Sequence, residues 1–273
     1  MRHPSRFLRR LGVTAAAATA MITLMPQAAV AAVVLDDGVV LQSTTGTDHL
    51  VTADRPAWAA AAVHSTSNYN ISLFDQWGGW LTSSYGYGFN RSEFVAVNSH
   101  LSPLASYEAR TSTSYGPAVA HTQWRQSHTT TTLPYPANDG VTGPTDPDLA
   151  FAALGSTQVV SVSDIHLKAG EAFWVDTAPD TLFFLLESNP YDSTTRLRNR
   201  HQHATAGVVR TAQGCTLYRA NHSGVHGLLM VADAAPVATT PPGGTAVALH
   251  RYDPARPYTC PQRNFPGPTP PGV

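Results

Sequence analysis

The sequence predicts an all-β protein, a jelly-roll-like β-sandwich with two such sandwiches in tandem. Three observations carry that expectation. Short β-prone runs alternate apolar and polar side chains, as in "YNISLFD", where Tyr69, Ile71 and Leu73 share one parity. Gly, Pro, Ser, Thr and Asn break the runs at roughly ten-residue spacing, which favours a sandwich over alternating strands and helices. The rhythm then stops and restarts. "WAAAAVHSTSNYNISLFDQ" and "AFWVDTAPDTLFFLLESNP" both run strand, polar break, strand, then an acid or Asn, as a tandem duplication would.

The first residues stand apart from this pattern. "MRHPSRFLRR" carries Arg2, Arg6, Arg9 and Arg10, an apolar run follows, and small residues at Ala29 and Ala31 end it. This reads as a secretory signal peptide over 1–31, with cleavage near Ala31 or Ala32. The apolar run is short for a membrane anchor. Arg9–Arg10 leaves the export route open, because Gly12 sits where a twin-arginine signal wants a large apolar residue.

Without the leader the charge balance changes. The chain has 17 Lys and Arg against 18 Asp and Glu; removing the four leader arginines leaves 13 against 18, or −5. No basic stripe remains, so nucleic acid is excluded as an expected partner. No later run is long and apolar enough for a membrane span. The expected setting is secreted and extracellular. There the two cysteines, Cys215 and Cys260, read as one disulfide. Closing that loop is worth roughly 3–4 kcal/mol.

The strand candidates follow in order. "GVVLQST", "HLVTA", "WAAAAVHS", "YNISLFD", "EFVAVNS" and "ASYEART" fill a first sandwich over 33–112. "STSN" is turn chemistry between the third and fourth. Alanine propensity alone offers a helix over Pro56–Val63 as an alternative. Residues 113–154, rich in Thr, Pro, Gly and Asp, read as a linker or long loop. The second sandwich spans 155–233. In it "TLFFLLES" is the most apolar run and is expected to be central, and "SVSDIHL" puts Asp164 and His166 on one parity. Residues 234–263 read as a linker with a disulfide-tied edge strand, and 264–273 as a disordered Pro/Gly tail.

"HLKAGEAFWVDTAPDTLFFLLE" together with "YRANHSGVHGLLMVAD" resembles the bacterial pre-peptidase C-terminal module, a small jelly-roll-like sandwich of secreted proteins. Ala169–Gly170 match its first turn, Phe173 and Trp174 its aromatic strand, and Gly224 its late glycine. His226 stands where that family has Tyr. Residues 155–233 carry the resemblance, and 35–112 carry it more weakly. It implies an accessory module beside a catalytic domain, for which this chain has no room.

Sites are read from four clusters. Trp77, Trp80, Tyr85 and Tyr87 alternate with glycines, too many aromatics for one small core, and predict an exposed platform for sugar rings or a protein surface. His201 with His203, His222 with His226, and Asp164 with His166 form three same-face pairs that would suit zinc or copper if they converge. Asn138, Asp139, Asp146 and Asp148 offer oxygen ligands for calcium. Glu93, Glu108, Glu171 and Glu187 are the only glutamates, and none stands out as one of a catalytic carboxylate pair. No G-x-S-x-G elbow or H-E-x-x-H pair is present.

The reading is therefore a noncatalytic binding or accessory protein, not an enzyme, that recognises an extracellular polysaccharide or protein and needs no cofactor. One alternative is a metal-dependent extracellular hydrolase using histidines of the second sandwich, with zinc, copper or calcium. Another is a protease inhibitor or assembly protein that uses loop 126–148.

Overall fold

The computed structural model describes residues 40–252 with breaks, the longer ones being 114–119, 132–148 and 234–245. The leader, the tail, Tyr87, His203, Cys260 and the calcium candidates Asn138, Asp139, Asp146 and Asp148 lie outside the described residues. Every described element but short turns is a strand, and the Pro56–Val63 helix does not form.

The first sandwich packs two sheets. One has the order β1(Val40–Ser43), β8(Ala120–Gln126), β3(Trp58–Ser65), β6(Arg91–Asn98), β14(Leu197–Asn199). The other runs β2(Asp48–Thr52), β7(Ser106–Thr113), β4(Tyr69–Asp75), β5(Trp80–Ser84). Ala59, Ala61, Val63, Tyr69, Ile71, Leu73, Val95 and Tyr107 fill the space between them. The second sandwich pairs β10(Leu149–Ala153), β18(Ala246–Arg251), β12(Ala172–Thr177), β16(Cys215–Arg219), β15(Val208–Ala212) with β13(Thr181–Leu186), β17(Gly224–Ala232), β11(Val160–Leu167), β9(Thr130–Thr131). Its core centres on Phe173, Phe183 and Tyr218, whose rings stack or meet edge to face.

A third core joins the two. The opposite parity of β3 and β6, namely Trp58, Ala60, Ala62, Phe94 and Ala96, meets Val160, Val162, Leu186, Leu229 and Val231. The result is four stacked sheets, with the inner two buried on both faces. That explains the alanines of β3. A strand squeezed between two cores needs small side chains on both parities, and all eight of its residues are buried. Each large apolar side chain in the seam contributes about 1.5–3 kcal/mol by leaving water.

Three organisational expectations change. Residues 113–154 are not a linker throughout: β8 is an interior strand of the first sandwich, and β9 and β10 belong to the second. The strand of 234–263 is not an edge, because β18 pairs with both β10 and β12. "TLFFLLES" forms β13 at the edge of its sheet rather than its centre. Its apolar character serves two neighbouring layers, with Phe183 and Leu185 in one core and Leu186 in the seam.

Candidate functional site

Tyr85, just past β5, and a buried carboxylate meet where the edge strands of the first sandwich, β5 and β14, come together. The β4–β5 turn is pinned by Asp75, whose Oδ1 accepts from the backbone N–H of Trp77 at 2.9 Å and Gly79 at 2.7 Å. Gly78 takes φ +81°, open only to glycine at low cost. The turn leaves Trp77 75% exposed and Trp80 64% exposed, and Tyr85 beyond β5 is 56% exposed. Their polar ends are tied. Trp80 Nε1 donates to Ser83 Oγ at 2.7 Å, Ser83 Oγ donates to Ser72 Oγ at 2.8 Å, and the Tyr85 hydroxyl lies 3.4 Å from Ser72 Oγ. The hydrogen bonds to Ser72 and then Ser83 hold the Tyr85 phenol below its ordinary range.

Behind Tyr85 sits Glu93 at the head of β6. Its parity is that of Val95 and Val97, so the carboxylate points between the sheets, and the residue is 4% exposed. Ser84 Oγ donates to Oε2. Gly86 gives the carboxylate its space: a Cβ there would stand 2.8 Å from Glu93 Cδ. The facing group comes from the second half of the chain. After β13 the backbone crosses over, and β14 pairs antiparallel with β6. Asn199 Oδ1 then accepts from the N–H of His201 at 2.9 Å and of Gln202 at 3.0 Å, which fixes the following turn. That turn sets His201 Nε2 3.9 Å from Glu93 Oε2 and 3.1 Å from the Tyr85 carbonyl. The imidazole is half-exposed and the carboxylate buried, so the pair opens to solvent on one side only. Glu93 was visible in sequence only as an acid on the inward parity of an apolar strand, which is the signal that mattered.

Among the described residues, those expected to bind metal do not converge. Asp164 ties the two sandwiches: Oδ1 accepts the Trp58 N–H at 3.0 Å and Oδ2 meets His100 Nε2 at 2.9 Å. His166, two residues on, points outward into solvent. His226 is fully buried, with Nδ1 accepting the Ser188 N–H at 2.9 Å and Nε2 donating to the His222 carbonyl at 2.9 Å. Both ring nitrogens are spent, and burial lowers its pKa. His222 lies 3.6 Å from Glu187, whose oxygens also accept the backbone and side-chain amides of Asn221. Among the described residues no group of three His, Cys, Asp or Glu side chains is placed to hold a metal. His226 is thus a structural histidine, both of its ring nitrogens being bonded. Cys215 is buried on β16, and no free cysteine is described.

No family model matches this chain, and no curated protein matches it. Solved structures resembling it include YhhW from Escherichia coli, at 12% identity, 72% of this chain, 79% of that chain and a TM-score of 0.20. Another is the STIV MCP, at 8% identity, 73% and 95% coverage and a TM-score of 0.21. Oxalate decarboxylase OxdC from Bacillus subtilis is a third, at 10% identity, 79% and 75% coverage and a TM-score of 0.17. YhhW is also known as a bacterial pirin in complex with nickel(II), and OxdC for its Mn(II) centers. Proteins named for catalysis or bound metal stand among the matches. At such TM-scores they transfer no residue and no reaction.

Proposed function

We propose that this chain is a secreted hydrolase whose reacting centre is the Glu93–His201 pair, with Trp80 and Tyr85 as the face on which a ring-bearing substrate rests. The observation that carries this reading is the pair itself. A buried carboxylate has one described hydroxyl donor, and an imidazole from the other half of the chain faces it at 3.9 Å. The oxygens of Glu187 accept the two amide donors of Asn221, whereas the nitrogen group facing Glu93 is the half-exposed imidazole of His201.

In this reading Glu93 takes the proton of an attacking water as its oxygen adds to the substrate. His201 acts in its protonated form: the imidazolium gives its Nε2 proton, now lent to the Tyr85 carbonyl, to the leaving oxygen and is left neutral. Closing the 3.9 Å gap to hydrogen-bond length lets the proton pass from Glu93 back to His201. Exposed aromatic faces beside the pair suit a sugar or aryl ring. Zinc or copper is the metal class that fits a site of imidazoles, but His201 Nε2 is already a donor here.

The test is turnover of p-nitrophenyl esters, phosphates and glycosides by the purified mature protein. Glu93→Gln and His201→Ala are each expected to lower the active reaction by about 10²-fold or more, with thermal unfolding little changed. No turnover on any substrate class, or turnover equal in both variants and the wild type, overturns the proposal.

A further inference from the structure

We propose that the seam between the two sandwiches holds a first-row transition-metal site, ligated by Nε2 of His64 and the imidazole of His121. His64 ends the seam-facing row of β3 that begins with Trp58, and it is 1% exposed. Its Nδ1 lies 2.8 Å from Ser92 Oγ. The single hydroxyl proton of Ser92 is already given to the Ala232 carbonyl. Ser92 can therefore only accept from His64, so the hydrogen sits on Nδ1 and the lone pair on Nε2. That Nε2 is buried and has no hydrogen-bond partner. A buried polar atom left without a partner is costly, so something is expected to complete it. A histidine that donates through one nitrogen to a fixed acceptor and presents the other is the arrangement metal ligands adopt.

The second ligand follows from register. His64 on β3 pairs directly with His121 on β8, so the two imidazoles stand on one face with Cβ atoms about 5 Å apart. His121 is partly exposed, which gives a cation a way in. On the other side Asp233, just past β17, pairs with Arg200 at 2.9 Å, and Arg200 also donates to the Ser92 carbonyl. With two protein ligands the remaining positions belong to solvent. Two imidazoles select the borderline cations zinc, copper and nickel over magnesium or calcium. This site is separate from the Glu93–His201 pair and stands whether or not that pair is catalytic.

The test is equilibrium dialysis of the mature chain against Zn(II) alone, with metal analysis, and ¹⁵N-histidine spectra recorded with and without Zn(II). The expected result is about one equivalent bound, with the Nε2 resonance of His64 shifted. His121→Asn, at a partly exposed position, weakens binding by more than about tenfold, and the exposed control His166→Asn leaves it unchanged. His64→Gln serves as the second variant, with its fold checked by circular dichroism. No bound Zn(II), or binding that survives both His121→Asn and a folded His64→Gln, overturns the proposal. So does binding lost in His166→Asn.

Discussion

The indole of Trp58 lies against the backbone of Gly227, so close that a Cβ on Gly227 would stand 2.8 Å from Trp58 Cγ and 3.0 Å from Cδ2. Trp58 begins β3 of the first sandwich, and Gly227 sits in β17 of the second. Trp58 Nε1 also donates to the Val225 carbonyl at 3.2 Å. The ring is thus a key cut to fit one glycine across the seam. Gly227→Ala is expected to destabilise the fold by about 1–3 kcal/mol through overpacking. Urea unfolding, read as a lower midpoint with unchanged slope, checks it.

Asp164 is the polar counterpart of that contact. Its two oxygens serve the Trp58 amide and His100, and its own N–H donates to Ser127 Oγ at 2.7 Å, while the Ser127 N–H returns to the Trp58 carbonyl at 2.8 Å. Asp164→Ala strands a buried amide at the joint and is expected to cost about 2–3 kcal/mol. The loss falls on the joint between the sandwiches rather than on either core. Differential scanning calorimetry is therefore expected to show the single transition broaden or split; one sharp transition at the wild-type temperature would refute the clamp.

How far this could be read from sequence depends on which face a residue serves. The alternation of Tyr69, Ile71 and Leu73 gave β4 directly, because one face is core and the other wetter. The pattern of β8, "AHTQWRQ", gave nothing. Its polar residues from Thr122 onward are buried all the same, with Gln123 Oε1 accepting the backbone amides of Val159 at 2.6 Å and Val160 at 3.3 Å. A strand whose polar side chains satisfy a neighbouring layer looks like a loop until that layer is known. The same limit hid the candidate site. Trp77, Trp80 and Tyr85 were legible as exposed aromatics, but Glu93 and His201 are brought together only by the crossover of β14 onto β6. The His222–His226 spacing misled for the opposite reason, since it serves a hydrogen bond within its own loop.

His226 supplies a pH dependence with a definite sign. Protonation at Nδ1 removes the lone pair that accepts the Ser188 N–H, and burial holds the folded-state pKa below 6.5. Between the folded and unfolded values the unfolded chain binds more protons, so stability is full above the unfolded pKa and falls as pH drops below it. His64, lowered by burial in the same direction, adds to the slope. Denaturation midpoints are expected to fall from pH 7.5 to pH 5. In His226→Gln the overall stability is lower but the drop across that range is smaller. An unchanged drop would show that His226 does not titrate with folding.

Gly86 separates stability from function. A Cβ there would press on the carboxyl end of Glu93, the flexible tip of a side chain rather than backbone. The side chain can swing aside, so Gly86→Ala is expected to cost little stability, about 1 kcal/mol or less. The same swing takes the carboxylate away from Ser84 and changes its 3.9 Å relation to His201. A displacement of about 1 Å at a reacting group is enough for a loss near 10²-fold. Turnover in Gly86→Ala is therefore expected to fall toward that of Glu93→Gln while the unfolding midpoint stays close to wild type. If turnover persists in a variant whose Glu93 has moved, Glu93 is a structural acid, and the imidazole beside it has another task.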